Sequence, residues 1–359
     1  MCNRPFFDNR QFDESTFKFY TQCTKTRFYR TISPFDIPSR RMYNRLMNYI
    51  VFDLEWNQCP DGKEHELRDL PFEILEIGAI KLNSEKIETD RFHEYIRPTV
   101  YLRLHSKTQE IVHIDPETLE SADFFPAVLE RFRKWCGPDA HYCTWGSLDL
   151  LELQRNIRYH KLPGFFPFPL KFYDIQKIFS LTFEDGKSRR TLEHAVDMLH
   201  IKKNVPFHEA LSDAYYTAAV MRFLPEDTLL SYYSIDYFRI PQRRNEEIYE
   251  TFENYSKYVS KKFPSRTAVM KDRVVRSTTC YVCGKKAVKK IPWFTGGSKN
   301  YRCLSYCEEH GWLKGKIRIK KTEDDKSYFC VKTLKLISEE RAQEIITRYK
   351  ERTEKKRDL

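Results

Sequence analysis

Four stretches of this 359-residue chain carry side chains equipped for chemistry. Asp53-Leu54-Glu55 lies in the apolar run NYIVFDLEW. In a strand the side-chain period is two, so both carboxylates share one face and Leu54 takes the other. Carboxylates beside Ile50, Val51 and Phe52 are costly to bury without a positive partner. Hard divalent cations take oxygen ligands of this kind, although a solvated sheet edge also carries such pairs. Asp149, in TWGSLDLLEL, stands at a strand-to-helix turn, where an acid also complements the helix dipole. His208 and Asp213, in PFHEALSDAYYTA, open a helix whose other residues are small and apolar, which brings Asp213 close to the buried face.

The fourth stretch is a cysteine cluster. Cys280-Tyr-Val-Cys283-Gly284 and Cys307-Glu-Glu-His310-Gly311 each present two ligands three residues apart, followed by Gly. The glycine permits the tight turn that aims both side chains at one ion. Four such ligands predict a closed, structural Zn²⁺ site resembling a zinc ribbon, with Cys303 as an alternative fourth thiol. Cys2, Cys23, Cys59, Cys136 and Cys143 are scattered, as buried thiols of a reducing compartment are.

Positioning these residues requires a particular set of elements. NYIVFDLEW, EILEIGAIKLN and TDRFHEYIRP read as three strands of a meander, with Gly78 marking a bulge or a close backbone approach. ADFFPAVLERFRKWC reads as a helix, HYCTW as a strand, and SLDLLELQRNIRYH as a helix capped by Ser147 with Leu148, Leu151 and Ile157 on one face. KFYDIQKIF, TLEHAVDMLH and HEALSDAYYTAAVMRFL continue as helices. Strands first, then strands alternating with helices, predict an α/β layer fold with a mixed sheet.

The charge is segregated along the chain. Residues 1–46 carry +5, residues 47–260 carry −9, and residues 261–359 carry +15, for a net +11. An acidic middle and a basic end fit a nucleic-acid enzyme with an appended binding module. The expected organisation is a basic aromatic arm at 1–46, a catalytic domain at 47–225, a helical connector at 226–275, a basic zinc module at 276–337 and a charged helix at 338–359. Lys285, Lys289, Lys314 and Lys316, interleaved with Trp293, are the expected nucleic-acid contacts of the module, and Trp56 is a candidate for stacking a base or for capping the sheet. The longest apolar runs are far below the ~18 residues of a membrane span, and a soluble, cytoplasmic protein is expected.

The order Asp53, Glu55, Asp149, His208, Asp213, with IVFDLEW, FEILEIGAIKL, TWGSLDLLELQRN, TLEHAVDML and PFHEALSDAYYTA around it, resembles the DEDDh family of 3′–5′ exonucleases. Ribonuclease T, the proofreading subunit of DNA polymerase III and the Eri and KapD-like RNA-trimming enzymes belong to that family. The resemblance covers roughly residues 48–225, and His208 places it with the histidine subgroup. It implies a ribonuclease-H-like, five-stranded mixed sheet and a two-metal mechanism. Asp53, Glu55, Asp149 and Asp213 would hold two Mg²⁺ or Mn²⁺ ions, with His208 as general base. The substrate would be single-stranded RNA or DNA at its 3′ end, with RNA favoured, and the products nucleoside 5′-monophosphates. The alternative is a binding scaffold that reaches a protein partner through the arm or the zinc module.

Overall fold

The computed structural model describes residues 47–112, 114–295 and 300–354; the expected arm at 1–46 and the last residues of the charged helix lie outside them. Strands β1 (Asn48–Gln58), β2 (Phe72–Leu82) and β3 (Glu88–Tyr95) form the antiparallel meander. Three helices follow: α1 (Ser106–Ile111), α2 (Pro116–Ser121) and α3 (Phe125–Cys136). Then come β4 (Ala140–Thr144), α4 (Leu148–Tyr159) and β5 (Lys171–Asp174). Helices α5 (Ile175–Phe183), α6 (Leu192–Met198), α7 (Ala210–Phe223) and α8 (Glu226–Ser231) precede the two-residue β6 (Ser234–Ile235). The sheet order is β3-β2-β1-β4-β5-β6, with β1–β4 and β4–β5 parallel. The five expected strands are thus extended by a short sixth.

The period of two in β1 decides both layers. Ile50, Phe52 and Leu54 point into a core closed by α3 and α4, with Phe132, Leu150 and Leu153. Tyr49 and Val51 point into the opposite core with Ile178, Phe179 and Tyr216 of α5 and α7. On that second face the next two residues are Asp53 and Glu55, so the row passes from apolar to acidic along one strand. At Gly78 the anticipated close approach is real. A Cβ there would lie 2.0 Å from the Leu211 nitrogen and 2.1 Å from the Ala210 carbonyl carbon, so α7 packs directly on the β2 backbone. The bulge falls elsewhere, at the register shift between Glu55 and Trp56.

Three sequence expectations need correction. Residues 171–174 pair with β4 as a strand rather than starting a helix. On α4 the buried apolar positions are Leu150, Leu153 and Ile157, while Leu148 is exposed. The expected helical connector contains a hairpin, β7 (Ile248–Thr251) and β8 (Tyr255–Val259), which joins the C-terminal sheet. The aromatic residues explain that error. Tyr249, Phe252, Tyr255 and Tyr258 recur every third residue, as on a helix, yet they are placed symmetrically about a turn at Glu253-Asn254. Tyr249 meets Tyr258 across the strands at 4.7 Å, and Phe252 stacks on Tyr255 at 4.5 Å.

After α9 (Arg266–Lys271), strands β9 (Val288–Thr295), β10 (Asn300–Cys307), β11 (Gly311–Lys321) and β12 (Tyr328–Leu336) complete an antiparallel sheet ordered β7-β8-β12-β11-β10-β9. Helix α10 (Glu339–Glu354) packs on it through Ala342 against Leu304 and Ile291. Arg155 of α4 bridges Glu152 (2.6 Å) and Glu323 of the β11–β12 loop, tying the two sheets together. Among the described residues no helix is long and apolar enough to cross a membrane.

Candidate active site and metal centre

Asp53, Glu55 and Asp213 each offer a carboxylate oxygen, and these atoms lie within 4.8 Å of one another. Two come from alternate positions of β1 and the third from the first turn of α7, which Gly78 lets down onto the sheet. Asp149 stands beside this group rather than in it, and of the surrounding charges it acts most strongly on Asp53. Its carboxylate is held by its own backbone N–H and by that of Leu54. The β1–β4 pairing ends at Val51 and Cys143, so the β1 backbone beyond Val51 has no strand on that side. Asp149, entering with α4, takes the place of the missing strand.

His208 precedes α7 with φ at 66°, a left-handed conformation costly for a residue with a side chain. Its backbone N–H donates to the Asp213 carboxylate, and its imidazole is exposed. The strained turn therefore serves two groups, fixing one acid and presenting an imidazole to solvent.

The electrostatics are those of an unneutralised acid cluster. Burial, then Asp149 and Asp213, push the Asp53 carboxyl well above the usual range. Burial raises Glu55 to about 8 and Asp149 to about 7. Asp213 rises to about 6, burial being opposed by His208. One oxygen of Asp213, Oδ1, is buried without a hydrogen-bond partner. Oxygen-only donors, an orphaned carboxylate oxygen and excess negative charge fit Mg²⁺ or Mn²⁺.

Glu76 and His93 belong to the same face and escape a reading of the sequence. Glu76 is Cα partner of Glu55, and His93 is partner of Gly78 on β3. Glu76 is 1% exposed and lies 2.8 Å from the His93 Nε2. The available signal was an acid two residues before Gly78, flanked by Ile74, Leu75 and Ile77. Only the register shows which way it faces.

In the C-terminal sheet, Cys280, Cys283, Cys307 and His310 also gather within 4.8 Å. The Cys283 and Cys307 sulfurs are 3.6 Å apart, and the His310 Nδ1 is 3.9 Å from Cys307. Gly284 and Gly311 have φ of 72° and 77°, the knuckle conformation their spacing implied. Cys303 is not in this group. Its sulfur faces Gly315 in the sheet interior, 2.4 Å from where a Cβ would stand. A hydrogen bond from His310 holds the Cys307 thiol down at about 6, in the range where a thiolate is available to a metal. Three sulfurs and an imidazole in tetrahedral reach fit Zn²⁺.

The expected nucleic-acid contacts are dispersed. Lys285 is paired with Glu309 at the knuckle, and Lys289 is exposed on edge strand β9 opposite Ser305. Trp293 is half-buried, packs over Gly315 and donates to the Arg276 carbonyl at 2.9 Å, so its ring is held against the core. Trp56 is half-buried against Phe72 at 5.5 Å on the α3–α4 side. Lys314 and Lys316 are half-buried, on the face of the sheet that also carries Leu304 beneath α10.

Residues 50–221 match the family model described as Exonuclease, RNase_T. This segment is an exonuclease domain of that family. The exonuclease domain is similar to 3′-5′ exoribonuclease 1 of Rattus norvegicus, 25% identical over 173 residues, which are 45% of this chain and 48% of that protein. The Homo sapiens protein of the same name is 24% identical over the same coverage. The chain spans about half the length of these curated relatives. Among solved structures, the nuclease domain of 3′hExo, a DEDDh family member bound to rAMP, aligns with a TM-score of 0.45 at 21% identity. That alignment covers 54% of this chain and 97% of the other. Pop2p of S. pombe, in a form with Mg²⁺ and Mn²⁺ bound, aligns at 0.38 and 18% identity over 48% and 81%.

Proposed function

We propose that this chain is a divalent-metal-dependent 3′–5′ exonuclease that trims single-stranded RNA in preference to DNA and releases nucleoside 5′-monophosphates. The observation that carries the reading is the convergence of Asp53, Glu55 and Asp213 within 4.8 Å, with Asp149 beside them and His208 at the rim. Asp53, Glu55, Asp149 and Asp213 would hold two Mg²⁺ or Mn²⁺ ions. When bound, such ions relieve charge on the attacking and leaving oxygens of a phosphodiester. His208 takes a proton from the attacking water onto its imidazole as the water's oxygen bonds to phosphorus. The bond from phosphorus to the 3′ oxygen of the preceding nucleotide breaks, and the terminal nucleotide leaves with its 5′ phosphate. The turn at His208, tied to Asp213 by its backbone N–H, would keep the imidazole beside that acid. RNA preference draws support from the exoribonuclease relatives.

The zinc module is part of the same proposal. Cys280, Cys283, Cys307 and His310 would hold one structural Zn²⁺ that fixes the β9–β10 edge, since a lysine-rich sheet of this size gains much of its stability from a metal. A reducing, cytoplasmic setting agrees with free thiols at eight described cysteines.

Matched RNA and DNA oligomers with free or blocked 3′ ends test the reading directly. Mononucleotides released from free 3′ ends in Mn²⁺, faster from RNA, are expected. Asp53→Ala should lower the rate by at least about a thousandfold, which corresponds to about 4 kcal/mol of transition-state stabilisation. Internal fragments, or activity persisting in Asp53→Ala, would remove the assignment.

A further inference from the structure

Strand β11 alternates with unusual regularity. Leu313, Gly315, Ile317 and Ile319 are buried, while Lys314, Lys316, Arg318 and Lys320 occupy the other face. The register extends this cationic row sideways. Arg302 stands opposite Lys316 on β10, Lys335 is opposite Lys314 on β12, and Lys257 follows Thr333 on β8. Like charges directly opposite one another destabilise a sheet, so folding alone gives no reason to collect them.

They are only partly neutralised within the protein, by Asp236 near Lys320 and Glu250 across from Lys257. Among the described residues none of these seven cations is in a salt bridge. Glu250, the acid at the end of the Lys316 row, is engaged by Lys171 at 2.7 Å. Burial and the neighbouring cations hold the Lys314 and Lys316 ammonium groups below their usual range, and bring Lys257 to about 8. The strip has walls. On one side α10 sits over Leu304 and Trp312, with Arg341 beside Lys314. On the other, Tyr237 lies under the Lys320 ammonium at 4.7 Å and against Phe329.

We propose that this cationic strip of the C-terminal sheet, between α10 and the cluster around Phe329, is a track for the phosphate backbone of a polynucleotide, separate from both the acid site and the cysteine knuckle. Alternate residues of a strand are about 6.7 Å apart, an interval comparable to that of successive phosphates along an extended chain. Binding here is electrostatic and indifferent to base identity, because the aromatic rings at the ends of the strip are packed rather than free. The track deepens the exonuclease reading by giving the enzyme a hold on substrate away from its 3′ end, but its test does not need hydrolysis.

The test uses the full chain carrying Asp53→Ala and a fluorescent oligouridylate of about 20 nucleotides, longer than the about 4–16 nucleotides of single-strand sites. Adding Arg302→Gln, Lys314→Gln and Lys316→Gln should weaken binding at least about tenfold and flatten the slope of log affinity against log salt by about 2, at ~0.7 for each lost phosphate contact. The same triple should keep or raise the melting temperature without nucleic acid, since repulsion is removed. Neutralising Lys134 and Lys187 instead should change affinity by less than about twofold, being surface charges of the nuclease domain away from the strip. Unchanged affinity in the track triple overturns the proposal, as does a polyglutamate peptide binding as tightly as the oligonucleotide, which would make the face a docking site for acidic protein. If the chain proves to lack nuclease activity while the triple still loses binding, the exonuclease reading falls and the track stands.

Discussion

Glu55 and Glu76 are direct partners across the β1–β2 pair, and both face the acid cluster. A carboxylate opposite a carboxylate is unfavourable in a sheet unless a cation is shared. Glu76 already has one polar partner, the His93 imidazole at 2.8 Å, and adds its charge to Asp53, Glu55 and Asp213. We expect Glu76 to strengthen cation binding without being a ligand. Glu76→Gln preserves shape and removes the charge. Calorimetric titration with Mn²⁺ should show affinity reduced about tenfold, about 1.4 kcal/mol, with turnover at saturating metal changed far less. Equal Mn²⁺ affinity in the variant would leave Glu76 with a purely structural part.

Gly78 supports a second prediction. A methyl group there would stand 2.0–2.1 Å from backbone atoms of α7, which cannot yield as a flexible side chain can. Gly78→Ala must therefore lift the helix that carries Asp213. Overpacking costs typically about 1–3 kcal/mol and more against backbone. The variant is expected to melt several degrees lower and to lose most of its nuclease activity even where it remains folded. A soluble Gly78→Ala protein with full activity would contradict the close packing.

These two residues show what was legible beforehand and what was not. Alternation in β1 made the shared face of Asp53 and Glu55 readable, and Gly78 announced a close approach. Glu76 needed the pairing register, which depends on a bulge at Leu75 that no local pattern marks. Residues 248–259 misled for a different reason: aromatic residues symmetric about a turn share the every-third spacing of a helix stripe, and long-range pairing with β12 decided between them. The gathering of Cys280, Cys283, Cys307 and His310 was legible because paired spacing followed by Gly is a local geometry, and Cys303 was separable only once β10 showed it facing inward.

That separation makes the third prediction specific. The purified protein should contain a single zinc ion, lost in Cys280→Ser or Cys283→Ser and kept in Cys303→Ser. Stripping the metal should unfold β9 and β10 first, seen as rapid amide exchange there while β1 and β2 stay protected. Loss of zinc in Cys303→Ser alone would restore the alternative ligand set.

The acid cluster also sets how stability depends on pH. Glu55 titrates at about 8 in the folded protein against 4.5 as an isolated side chain, so between these values the native state holds more protons than the unfolded state. Stability then falls as pH rises through that window, and Asp149 at about 7 and Asp213 at about 6 act in the same direction. A bound divalent cation replaces those protons, so its stabilising effect must grow over the same range. Melting curves without divalent metal should show wild type losing several degrees relative to Glu55→Gln on going from pH 5 to pH 8. Mn²⁺ should restore more at pH 8 than at pH 5. A wild-type minus Glu55→Gln difference that stays constant with pH would mean that Glu55 is ionised in the metal-free fold and that its neighbours do not crowd it.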